Sequence, residues 1–228
     1  MEKQPHHRVI RSYVLREGRL TGGQSRALEQ HWPRFGIDFS KQLLDLDARF
    51  GRRAAKILDI GSGNGDSVLA LARRFPENDY LAVEVHRPGV GNLLRRIAEE
   101  HYDNILVIRH DAVEVLRFQI PDNSLDAVHI LFPDPWPKKK HHKRRLVSER
   151  FLRQLYPKLK NHARLYLATD WRDLAEHMLE VCDAFPGLIN LAGTGHFSPR
   201  PLWRHRTKFE QRGKKLEHEV YDLIYCPE

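Results

Sequence analysis

Residues 56–66 read KILDIGSGNGD, and this stretch decides the fold. Lys56–Ile60 is a short apolar strand that stops at Gly61. Glycines at 61, 63 and 65 let the chain turn tightly and let a ligand come close to the main chain. Beyond the turn, Val68, Leu69, Leu71 and Ala72 share one face of a helix expected over Asp66–Phe75. The dinucleotide-binding fingerprint would need glycine at position 66, where this chain has Asp66. An acidic side chain there repels a pyrophosphate, so the turn suits a nucleoside ligand without phosphates. Taken alone, it is equally well explained as a tight strand-to-helix turn.

The pattern continues outward from that unit. Strands are expected at Tyr80–Val85, Asn104–Arg109, Ser124–Phe132 and Ala163–Thr169, with a last strand at Glu217–Cys226. Helices are expected at Gly89–His101, Val113–Phe118, Leu146–Leu155 and Asp173–Phe185. Strands alternating with helices imply a parallel sheet covered on both faces. In such open sheets the ligand crevice lies beyond the carboxyl ends of the strands, so the residues that follow each strand are the informative ones.

After the second strand stands Glu84, placed to accept both hydroxyls of a ribose; alone, it would be a solvated carboxylate at a strand end. Asp111 follows the third strand. It suits an exocyclic amine such as that of adenine, and equally the N-cap of the next helix. The fourth strand leads into Phe132-Pro133-Asp134-Pro135-Trp136-Pro137. Each proline fixes its own φ and restricts the residue before it, so Asp134 is held stiffly. The run Lys138–Arg145, KKKHHKRR, comes next. A charge run is usually a solvated face; inside a compact domain and beside the expected crevice, this one points to a polyanion. The adjacent His141 and His142 have a poor metal spacing and read as part of the cationic loop.

Composition bounds the alternatives. The chain has 228 residues, of which 41% are hydrophobic and 30% charged, which fits a globular protein with its own core. Lys and Arg number 38 against 30 Asp and Glu, a net charge of +8 that favours nucleic acid. No apolar run approaches the ~20 residues of a membrane span, and the opening residues hold no apolar leader stretch. The two cysteines, Cys182 and Cys226, offer neither a disulfide framework nor zinc spacing. A reducing cytoplasmic setting, no metal and no membrane partner are therefore expected. Residues 1–55 are polar and basic and read as an arm with short helices outside the core. Residues 193–215 read as a cationic surface loop.

The acidic-glycine turn, Glu84 and Asp111 together resemble the S-adenosylmethionine site of class I methyltransferases. More narrowly, the chain resembles the bacterial tRNA (guanine-N7)-methyltransferase family. The segments that carry the likeness are RSYVLREGRLTGGQ, AVEVHRPGVG, RHDAVEVL, IPDNSLDAVHILFPDPWPKKKHHKRR, ATDWRDLAEHMLEV and RTKFEQRGKKLEHEVYDL. They span nearly the whole chain, and the FPDPW-plus-basic block with the TKFEQRG segment is the most specific part. The resemblance implies an α/β, class I Rossmann-like methyltransferase fold, with a mostly parallel seven-stranded sheet and helices on both faces. It divides the chain into a basic arm at 1–35 and a methyltransferase domain at 36–228.

The same resemblance implies a function. The chain would transfer a methyl group from S-adenosyl-L-methionine to N7 of guanosine 46 in the variable loop of tRNA; a monomer is the expectation, with the oligomeric state left open by the sequence. Asp59, Gly61, Gly63, Glu84, Asp111, Ala112 and Asp134 would hold the cofactor, with Asp134 also catalytic at the reacting end. Lys138, Asp170, Thr207, Lys208, Phe209 and Glu210 would contact the substrate. Lys139, Lys140, Lys143, Arg144 and Arg145 would form the RNA-binding basic loop. Two positions depart from the family pattern, which commonly has Glu at the place of Asp59 and often Gly at that of Glu217. Trp136, Phe132 and Trp203 are candidates to stack on a base, although core packing is the commoner fate of such rings. Competing readings are a small-molecule methyltransferase, a non-catalytic RNA-binding module and a nicotinamide-dependent oxidoreductase. The basic loop, the acidic series and Asp66 respectively speak against them.

Overall fold

The computed structural model describes residues 10–14, 18–204 and 219–228. Strands β1 (Gly36–Ile37), β2 (Lys56–Ile60), β3 (Asp79–Val83), β4 (Ile105–Ile108), β5 (Leu125–Leu131), β6 (Leu159–Thr169), β7 (Leu188–Asn190) and β8 (Tyr221–Pro227) form one sheet. Its order is β1-β4-β3-β2-β5-β6-β8-β7. From β1 to β6 all neighbours run parallel; β8 is antiparallel to both β6 and β7. The sheet is thus mostly parallel, as expected, but has eight strands among the described residues instead of seven. The residue pattern located six of them; β1, two residues at the edge beside β4, and β7, three residues at the opposite edge, are too short to leave a pattern in the sequence.

Helices α1 (Gly22–Phe35), α2 (Leu46–Phe50), α3 (Asp66–Arg74), α4 (Arg87–Glu99), α5 (Ala112–Phe118), α6 (Glu149–Leu155) and α7 (Arg172–Asp183) cover the sheet. Alternating side chains of a strand point to opposite faces, and the core divides accordingly. Leu58, Ile60, Leu81 and Val83 pack with Val115 of α5, Phe151 of α6 and Met178 of α7. Ile57, Tyr80 and Ala82 pack on the other face with Val68 of α3 and Leu93 of α4. Both faces of the central strands are therefore buried, which is why their sequences are continuous apolar runs.

The N-terminal zone is more integrated than its polarity implies. Thr21 and Gln24 form a reciprocal capping box that starts α1. Ala27 and Phe35 of that helix are buried, and Gly91 of α4 lets the backbone of Gln24 approach closely. Ile37 and Leu46 join the core. The expectation that residues up to 55 lie outside the core is corrected by these contacts. The described part of 193–215 is mostly exposed, as expected of a surface loop, but two of its residues are buried. Ser198 bridges to Asp222 of β8, and Arg204 is 1% exposed with its Nη2 3.0 Å from Oδ2 of Asp222. A fully buried guanidinium needs such a partner, and a cation read as solvated is instead a core ion pair.

Candidate functional site

The sheet reverses its strand order around β2, with β3 on one side and β5 on the other, and a cavity opens at the carboxyl ends of these strands. It has a volume of about 880 Å³. Gly61 after β2, Glu84 after β3, Ala112 after β4 and Asp134 after β5 all line it. Four of the residues singled out in the sequence thus meet on one wall system, brought there because the parallel strands β2 to β5 all end on the same side of the sheet.

The glycine turn is built by its backbone. Gly61, Gly63 and Gly65 have φ of 80°, 55° and 87°, values that favour glycine. A Cβ on Gly65 would come within 2.4 Å of Leu93 Cδ1, whereas the space over Gly61 and Gly63 is open. Those two therefore leave room for a ligand against the main chain. The Glu84 carboxylate pins the turn: Oε2 accepts from Gly63 N at 2.8 Å, and Oε1 accepts from Val85 N and His86 N at 2.7 Å each. Asp66 is outside the cavity lining. It pairs with Arg96 of α4 at 2.6 Å and so ties the start of α3 to its neighbour.

Asp59 and Asp111 stand one step behind the cavity lining. Asp59 is 3% exposed, and its Oδ2 has no hydrogen-bond partner among the described residues. Burial pushes its carboxyl up to about 7; the Ser62 hydroxyl opposes that rise and Glu84 adds to it. An unsatisfied buried carboxylate beside a glycine cradle suits a cationic amine. Asp111 caps α5 by accepting from Val113 N at 3.0 Å. Burial raises its pKa, with the Val113 amide opposing.

The loop after β5 is strained at both ends. Phe132 and Trp136 have φ of 56° and 47°, a region uncommon for non-glycine residues. Asp134 lies between them, exposed to the cavity. Phe132 N is fixed to Ala168 O of β6 at 2.7 Å, and Trp136 Nε1 donates to Ser12 O at 3.0 Å. The second contact reveals residues the sequence reading gave no role. Ser12, Tyr13 and Val14 cross from the N-terminal segment and form part of the cavity wall. His86 and His110 also line it. Their only sequence signal was membership of the RSYV, AVEVH and RHDA segments.

Lys138 leads into a 3₁₀ helix at Lys139–Arg144. Lys138, Lys139, Lys140 and Lys143 are exposed, and Arg144 stacks over the Trp136 ring at 4.9 Å. Arg145 departs from the expectation of an RNA-facing cation: it is 5% exposed and turned inward. Asp170 follows β6 at the same edge of the sheet, outside the cavity lining. Thr207, Lys208, Phe209 and Glu210 lie outside the described residues. Trp203 is a packing residue, stacked on His129 at 5.3 Å and edge-on to Tyr166 at 4.7 Å. Among the described residues no three His, Cys, Asp or Glu side chains stand together to hold a metal ion, and no helix is long and apolar enough to cross a membrane.

Comparison with known proteins bears on the family and the fold. A family model described as "Putative methyltransferase" matches residues 53–223. A tRNA (guanine-N(7)-)-methyltransferase of Neisseria meningitidis serogroup A is 52% identical over 220 residues, covering 96% of this chain and 92% of that protein. One of the same description from Alkalilimnicola ehrlichii is 55% identical with the same coverage. Among solved structures, the 16S rRNA methyltransferase KamB superposes with a TM-score of 0.55 at 17% identity, covering 82% of this chain and 95% of that one. The aminoglycoside resistance methyltransferase NpmB1 gives 0.54 at 16% identity with the same coverage. These last two share the fold.

Proposed function

The chain belongs to the tRNA (guanine-N(7)-)-methyltransferase family, and we propose that it methylates N7 of guanine 46 in the variable loop of tRNA with S-adenosylmethionine as donor. The observation that carries the reading is the meeting of Gly61, Glu84, Ala112 and Asp134 on one cavity, whose lining residues Trp136 and Pro137 lead directly into the Lys138–Arg144 cations. The residues fit the cofactor. Gly61 and Gly63 leave open space for contacts of the cofactor with the main chain, the Asp59 Oδ2, without a partner among the described residues, suits an ammonium group, and Glu84 can accept ribose hydroxyls. Bound there, the cofactor supplies an electrophilic sulfonium methyl group.

The chain's own residues do the rest by position and charge. Guanine N7 is a lone-pair acceptor with no proton to lose, so no general base is required of the protein. Positive charge grows on the purine as the methyl arrives. The Asp134 carboxylate, stiffened by Pro133 and Pro135, is available to stabilise that charge or to hold the guanine N–H edge in line. The exposed lysines of the 3₁₀ helix supply attraction for phosphates. A tRNA variable-loop base can leave its stack, as base recognition in RNA requires. Methylation of a transcript with guanine at position 46, compared with one carrying adenine there, tests the assignment. Equal methyl incorporation into both would refute position 46.

A further inference from the structure

Arg145 closes the run KKKHHKRR, yet its side chain is 3% exposed. All three nitrogens of its guanidinium have partners. Nε donates to Pro135 O at 3.3 Å and Nη1 to Asp173 O at 3.4 Å. Nη2 meets Asp173 Oδ2 and lies 3.2 Å from His142 Nε2. Its backbone N–H returns to His142 O at 2.9 Å, closing the 3₁₀ helix. The rigid planar fork of arginine can hold several acceptors in fixed relation; a lysine ammonium on a flexible stem cannot reproduce that.

The acceptors are informative. Pro135 immediately follows Asp134, and a proline offers its carbonyl as its single main-chain hydrogen-bonding group. Asp173 lies in the first turn of α7, just beyond Asp170 and the N-cap Trp171. The guanidinium thus joins the loop after β5 to the segment after β6, across the edge where the purine is expected. Trp136, next in the chain, sits at a positive φ of 47°. A strained backbone persists when its surroundings over-determine it; here Arg145 holds one side of the residue and Ser12 O the other. To reach a phosphate, Arg145 would have to abandon all of these partners.

We propose that Arg145 is a positioning residue that fixes the Asp134 loop against the start of α7, and is not an RNA contact. The inference rests on the methyltransferase reading above. The test is Arg145→Lys in the full chain, with single-turnover methyl transfer at saturating tRNA and S-adenosylmethionine and separate binding measurements. The rate should fall about 10- to 100-fold, the scale of a small misplacement of a reacting group. Affinity for both substrates and the salt slope of tRNA binding should stay as in the parent. In an Asp134→Asn background the same substitution should cost little more, because the group it positions has gone.

A parent-like saturated rate would overturn the proposal. So would a loss of tRNA affinity and salt slope with the rate intact. If Arg145→Lys fails to fold, Asp173→Asn decides, because it weakens the same tie from an exposed side chain: a slower saturated rate with parent-like binding supports it, and an unchanged rate overturns it. Failure of the parent protein itself to methylate tRNA would refute the underlying activity instead, so the two failures are distinguishable.

Discussion

Glu84 Oε2 accepts from the Gly63 amide at 2.8 Å, so the carboxylate that ends β3 also holds the turn that follows β2. One side chain therefore sets both the shape of the glycine cradle and the acceptor presented to the cavity. Glu84→Ala should weaken S-adenosylmethionine binding about 10- to 100-fold, as expected for loss of a charge-assisted hydrogen bond of roughly 1.5–3 kcal/mol. tRNA affinity should change little. Titration calorimetry checks this, and parent-like cofactor affinity would remove Glu84 from the site.

The cationic 3₁₀ helix should govern the salt dependence of RNA binding. Replacing Lys139, Lys140, Lys143 and Arg144 by neutral residues should flatten log K against log salt by up to about 3 units, at ~0.7–0.9 per lost phosphate contact. Arg145 is left out of this set because its side chain is buried. An unchanged slope would reduce the run to a solvated face.

Asp134→Asn keeps the shape of the loop, since Pro133 and Pro135 and the bonds at Phe132 and Trp136 hold the backbone. The variant should bind both substrates nearly as the parent does and lose ~10²–10³ in the rate of the chemical step, as for removal of one preorganised electrostatic group. Single-turnover kinetics with near-normal methyl transfer would leave Asp134 as a turn residue. The pH–rate profile of the parent should show no essential base near neutrality, because N7 has no proton to remove.

Asp59 gives the ligand-free protein a pH signature. Its folded pKa, raised by burial to about 7, lies above the unfolded value of about 3.9. The folded state then binds the proton more tightly, so the stability that the protonated group contributes is full below the unfolded value and is lost as pH rises through about 7. Asp59→Asn should flatten this part of the stability curve. Urea melts across the window can show it, and a parent-like decline in the variant would place its origin elsewhere.

Much of this was legible in the chain. Short, mostly apolar runs marked β2 to β5 and the second half of β6 because both sheet faces are covered there, and glycines and carboxylates after the strands marked the cavity. Other features depend on tertiary pairing that has no local pattern. The two residues of β1 pair only once β4 is in place. Ser12–Val14 reach the cavity through a bond between residues 124 positions apart, Trp136 to Ser12. Arg145 and Arg204 look like surface cations until Asp173 and Asp222 are brought beside them. A charge run shows the sign of a surface; it does not show which of its members have turned inward.

The most direct measurement is product identity. Unmodified tRNA is incubated with the protein and methyl-labelled S-adenosylmethionine, then digested to nucleosides and separated. The account predicts that the label appears in 7-methylguanosine. Label confined to another nucleoside, or absent from tRNA under conditions where the protein binds both substrates, would contradict it.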